Sequence, residues 1–139
     1  MGCDIHPHFE VKVDGVWHHH SVPHFERCYR LFTKMANVRT VDEVEPISEP
    51  RGLPEDVSVI TRIESKFDNG HSHSWLNAKE IKELYEFHIS LADNDLKRIN
   101  TSINEWWYLC GNGWEGFECD SDGYPSEYED IRLVFWFDN

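Results

Sequence analysis

The run Ile131 to Phe137, IRLVFWF, constrains this chain more than any other stretch. It is a dense series of β-formers, apolar on both faces through much of its length, which describes a central strand rather than an edge. The N-terminus supplies strands to flank it. Phe9, Val11 and Val13 alternate with Glu10 and Lys12, and a second run, Val16 to Val22, follows Asp14-Gly15. An Asp-Gly pair between two such runs predicts a β-hairpin, because both turn residues must reach positive φ.

Helices account for much of the rest. Residues 28–36, CYRLFTKMA, place Leu31, Phe32 and Met35 at helical spacing, and a short helix over 56–65 follows. Asn77 with Glu80 three residues on is a capping-box variant, and Ile81, Leu84, Tyr85, His88 and Leu91 form one face of the helix it opens. Asp93-Asn94-Asp95 ends that helix and caps another, striped by Leu96, Ile99, Ile103 and Trp106 or Trp107. Residues 40–56, with three prolines and six acids, and 66–75, KFDNGHSHSW, read as loops. Residues 110–130 are Gly-rich, with seven acids and no Lys or Arg. The expected fold is α+β, a single domain over 1–139. A small antiparallel sheet, built from the N-terminal hairpin and the C-terminal strand, packs on one face against several helices.

Composition narrows the function. Among 139 residues, 26 acids outweigh 13 Lys and Arg, for a net charge of −13. Hydrophobic residues at 40% and aromatics at 14% are enough for a core, which excludes wholesale disorder. Direct nucleic-acid binding is not expected, since it draws on Lys and Arg against phosphates. DNA mimicry by the acidic stretches 42–56 and 110–130 would need a regular array of acids, which Gly-rich loops frame poorly. No run approaches the length of a membrane span, and MGCDIHPHFE has neither the basic nor the apolar region of a signal peptide. A cytoplasmic protein without membrane contact is expected. Cys3, Cys28, Cys110 and Cys119 are widely spaced, so buried thiols or metal ligands are expected rather than bridges.

Histidine carries the chemistry. Two H-x-H pairs stand out among nine histidines, His6-Pro-His8 and His71-Ser-His73. Residues two apart in an extended segment share a side, so each pair can present two imidazoles to one ion. Asp4 shares the parity of His6 and His8, whereas Cys3, Ile5 and Phe9 face the core side. Asp4, His6, Asp68, His71 and His73 together would form a mixed N/O site for a divalent metal, zinc above all, with Ser72 and Ser74 as outer donors. The alternative is that these are surface imidazoles. In the run His18-His19-His20, alternate members face opposite ways, so at most His18 and His20 act together; solvated surface is the expectation. His24 and Cys28 with Cys110 and Cys119 are a further zinc arrangement, at a spacing too long for a tight knuckle.

Basic residues concentrate locally. Arg27, Arg30, Lys34 and Arg39 stand against one acid, Glu26, within 24–39, and Arg51 lies in the next loop. Arg30, Arg39 and Arg51 in one pocket would bind an anionic ligand; otherwise they pair with the abundant carboxylates. Trp106-Trp107-Tyr108 and Trp114 read as core, or as an aromatic wall.

Three segments, MGCDIH, CYRLFTKMANVR and RGLPEDVS with DNGHSHSWL, together with the terminal VFWFDN, resemble a family of small phage and prophage proteins. The resemblance implies a setting, the cytoplasm of an infected or lysogenic bacterium, rather than a mechanism. Its pattern falls on Cys3, Asp4, His6, Arg39, Arg51, Gly52, Asp68, His71 and Trp75. More locally, Asp4-x-His6-x-His8 looks like the opening metal motif of PHP and amidohydrolase enzymes. The chain is too short for their barrel of about 250 residues, so only the ligand logic carries over.

Two readings follow. One is a metal-binding domain in which an ion with an open position hydrolyses a phosphoester or nucleotide, with Arg39 or Arg51 steadying the substrate. The other is a non-catalytic counter-defence protein that captures an anionic nucleotide or blocks a host enzyme.

Overall fold

The computed structural model describes residues 2–25, 27–67, 69–94 and 130–139. The elements run β1 (Asp4–Val13), β2 (Val16–Ser21), α1 (Tyr29–Ala36), α2 (Val59–Glu64), β3 (His71–Asn77), α3 (Ala78–Asn94) and β4 (Asp130–Asp138). Among the described residues this is an α+β fold, a four-stranded antiparallel sheet of order β2-β1-β4-β3 with three helices. The hairpin turns at Asp14 (φ 51°) and Gly15 (φ 77°), the positive φ pair that an Asp-Gly turn supplies.

The C-terminal run is central, as its two-sided apolarity requires. β4 pairs with β1 from Asp4↔Asp138 to Lys12↔Asp130, and with β3 on its other side. One face of the sheet carries the main core. Ile5, Phe9 and Val11 of β1, Ile131, Leu133, Phe135 and Phe137 of β4 and Leu76 of β3 pack against Leu31, Phe32 and Met35 of α1 and Ile81 and Leu84 of α3. Burying each large side chain of this kind stabilises the fold by about 1.5–3 kcal/mol.

Two expectations are corrected. Residues 66–75 were expected to be a loop, yet His71–Asn77 form edge strand β3. Its polar, His- and Ser-rich face hides a strand whose hydrogen bonds come from distant β4, and a register shift between His71 and Ser74, with Ser72 at φ 57°, breaks the alternation. Nor do helices cover one face alone. On the opposite face Val57, with half-buried Leu53 and Trp75, packs on Val134 and Trp136, and α2 follows directly.

Local signals explain the helix boundaries. Glu80 N–H donates to Asn77 Oδ1 (2.9 Å) and Asn77 N–H donates to Glu80 Oε1 (3.0 Å), the reciprocal capping box read from the sequence. Asn37, in the left-handed region at φ 55°, closes α1 by donating its N–H to Thr33 O (2.8 Å). The acidic loop is tied to the outer edge of β3. Gly52 N–H donates to His73 O (2.8 Å), and Arg51 N–H to Ser74 Oγ (3.1 Å). Gly52 sits at φ 90°, which a side chain would strain.

The helix expected over 96–107, the Gly-rich stretch to 129, Cys110, Cys119 and the aromatic wall candidates lie outside the described residues. No described helix is long and apolar enough to cross a membrane.

Candidate functional site

The α2 side of the sheet holds two polar patches. At the hairpin end, Glu10 is buried and accepts from Arg132 Nε (3.0 Å) and Nη2 (2.8 Å), from Thr61 Oγ1 (2.7 Å) and from Ser58 N–H (2.9 Å). Arg132 also reaches Asp56 (2.9 Å) and stacks 3.8 Å above the Trp17 ring. Burial pushes the Glu10 carboxyl up, but the bonds from Ser58, Thr61 and Arg132 outweigh it and hold the group below its ordinary value. These bonds fasten the start of α2 to the sheet.

At the other end the same face becomes an array of imidazoles around one indole. β1 points Asp4, His6, His8 and Glu10 to this side, and His6 pairs across the sheet with Trp136. The buried Trp136 ring stacks with His8 (centroids 4.9 Å apart), His73 (5.5 Å) and His6 (6.2 Å). His8 is 5% exposed, and its Nδ1 lies 3.1 Å from His19 Nε2 across the β1–β2 pairing. Burial holds His19 below the ordinary imidazole value, while the Glu10 and Glu64 charges pull it back. His73 is likewise lowered, by burial and then by His71.

His6 is oriented by a carboxylate. Its Nε2 lies 2.5 Å from Asp138 Oδ2; because the carboxylate accepts, Nε2 carries the hydrogen. His6 and His8 open onto a cleft of about 410 Å³, whose walls include His24, Glu64, Ile60 and Val22. Histidine, carboxylate and apolar groups meeting in one concavity are what a small-ligand site requires.

The expected ligands are distributed as follows. Segments 4–8 and 71–73 lie on either side of β4, flanking its C-terminal end, with the Trp136 indole between them. Asp4 is held by Arg27 through both oxygens (2.6 and 3.1 Å), which keeps its carboxyl below the ordinary value. His71 bonds to Asn139 Oδ1 through Nε2 (2.5 Å) and to Ser72 Oγ through Nδ1 (2.9 Å). Asp68 lies outside the described residues. Among the described residues no three His, Cys, Asp or Glu side chains are arranged as a ready coordination shell.

The arginines have separate partners. Arg30 binds Glu43 (2.7 Å) and Arg39 lies 5.6 Å from the Tyr29 ring centre. Arg51 grips Glu80 through two bonds (2.7 and 2.6 Å), donates to Trp75 O (2.9 Å) and covers the Trp75 ring at 4.8 Å. For Arg30 and Arg51 this is the carboxylate pairing set against a shared anion pocket.

Sequence reasoning missed His19 and Glu64. His18 and His20 are exposed as expected of alternate residues, but His19 turns inward to His8. The missing signal was the register. Counting back from the two-residue turn, Val13↔Val16 leads without a break to Glu10↔His19, which puts His19 on the face of Glu10 and His8; the bulge comes only beyond it and takes His20 out of pairing.

No protein-family model matches the chain, and no curated protein and no solved structure is a match to it.

Proposed function

We propose that the protein is a divalent-cation-binding domain, with zinc as the best-suited ion and the histidine-lined cleft as its site. The observation that carries this reading is the 2.5 Å contact between His6 and Asp138. A neutral imidazole whose Nε2–H is held by a carboxylate keeps its basic lone pair on Nδ1, and metal-ligating histidines are oriented in this way. His8, His24 and Glu64 share the cleft with it.

Charge favours a cation over an anion. A chain of net charge −13 attracts positive ions, and Arg30 and Arg51 are already matched to carboxylates. Capture of an anionic nucleotide by those arginines would first require releasing them from Glu43 and Glu80. An ion with open positions in such a cleft would supply Lewis-acid chemistry suited to phosphoester hydrolysis. The phage or prophage setting rests on the resemblance of the MGCDIH and HSHSWL segments.

Calorimetric titration of chelator-treated protein with zinc chloride tests the reading. Saturable, stoichiometric uptake that weakens in His6→Ala supports it, and no uptake by the wild-type protein removes it.

A further inference from the structure

We infer that His19 is a metal ligand: a zinc-class ion binds between His8 Nδ1 and His19 Nε2, bridging β1 to β2, with its remaining positions left to the other cleft imidazoles and water. This rests on the reading of the cleft as a cation site and names the protein atoms that would hold the ion.

Distance is the first argument. Two nitrogens bound tetrahedrally to zinc, each at 2.0–2.1 Å, are about 3.3–3.4 Å apart. His8 Nδ1 and His19 Nε2 are 3.1 Å apart, within about 0.3 Å of that separation, and a tilt of the two rings would bring both lone pairs onto one ion. Preorganisation is the second. His8 is 5% exposed and clamped by Trp136 at 4.9 Å, and the His19 ring meets it edge-on at 5.3 Å. The hairpin register, which runs unbroken from Val13↔Val16 to Glu10↔His19, puts His19 on the same face as His8. Access and charge complete the case. His8 and Glu64 line the open cleft, and although burial holds the His19 imidazole below its ordinary value, the Glu64 charge works against that burial.

The exchange balances. With both rings neutral, one nitrogen of the facing pair carries a hydrogen and the other accepts it. On ion binding that hydrogen passes through water to the outer nitrogen of its own ring, so both lone pairs face the ion and no net proton is released.

Zinc titration of the wild type, His19→Gln, His19→Ala and the exposed-site control His20→Ala tests this, with circular dichroism confirming the fold. Even an outer-shell partner is worth on the order of 10- to 100-fold in metal affinity, so both His19 variants are expected to lose at least that much. His20→Ala is expected to bind like the wild type. In the wild type, ring ¹⁵N spectra should show zinc-induced shifts at His8 Nδ1 and His19 Nε2, a readout that needs no variant. Wild-type uptake that persists undiminished in His19→Gln, or zinc shifts confined to other rings, overturns the His19 assignment and leaves the cleft reading standing. No wild-type uptake overturns both.

Discussion

Arg132 grips Glu10 across the β1–β4 pairing through both Nε and Nη2, at 3.0 and 2.8 Å, with the Glu10 side chain fully buried and that of Arg132 7% exposed. The pair is a hub. From it the start of α2 is fastened through Ser58 and Thr61, and the loop before α2 through Asp56.

Removing the charge at that hub should be expensive. Glu10→Gln leaves the buried guanidinium with a neutral partner and only the exposed Asp56 as counter-charge, and breaking a buried ion pair from one side typically costs about 3–5 kcal/mol. Urea unfolding is expected to show a loss of that order. A loss below about 1 kcal/mol would mean that the four bonds to Glu10 are readily replaced.

Acid should unfold the protein partly through the same carboxylate. Glu10 and Glu80 titrate below their ordinary value of 4.5 in the folded state, and Asp56 below 3.8. Their stabilisation is therefore complete above those ordinary values and fades as pH falls through the lower folded ones. Unfolding free energy measured from neutral pH downwards should start to drop near the ordinary carboxylate range, with a shallower acid limb in Glu10→Gln. Parallel acid limbs in the two proteins would refute the assignment.

Gly70 is required by a close approach rather than by its backbone angles. A Cβ there would lie 2.5 Å from Trp136 Cδ1 and 3.3 Å from Phe137 O. Gly70→Ala is expected to cost about 1–3 kcal/mol, in the range of overpacking, and to change the indole fluorescence as Trp136 shifts against its histidines. An unchanged melting temperature and spectrum would show that the 70–71 backbone yields instead.

Arg51 is expected to behave as a clamp. It joins the loop to β3 and to the N-terminus of α3 through Trp75 O and Glu80, where Glu80 also caps the helix. The Arg51 and Glu80 side chains are 27% and 17% exposed, so solvent screens the pair in part. Arg51→Ala should cost about 1–2 kcal/mol, near the lower end for hydrogen bonds to charged groups. A double-mutant cycle with Glu80→Gln should return a coupling of about 0.5–1 kcal/mol or more. Additive single losses would sink the clamp.

Features that depend on near neighbours were largely legible in the order of the amino acids. Asp14-Gly15 dictated the hairpin because its φ requirement is local, and Asn77 with Glu80 announced the start of α3 because capping spans three residues. The two-sided apolarity of 131–137 made β4 central, since such a run must be buried on both faces. Strand parity likewise put His6 and His8 on one side, opposite Ile5 and Phe9.

Features that depend on pairing between distant segments were not legible there, because their partners are brought together by folding. β3 escaped notice because its polar residues become a strand only when β4 supplies their hydrogen-bond partners. His19 is set against Glu10 by counting from the hairpin turn, but its meeting with His8 runs diagonally between the strands, a matter of side-chain reach that the folded sheet fixes. The two H-x-H segments end on either side of one strand with an indole between them, a placement that the order β2-β1-β4-β3 imposes. Parity tells which side a residue faces; only register tells which residue it faces there.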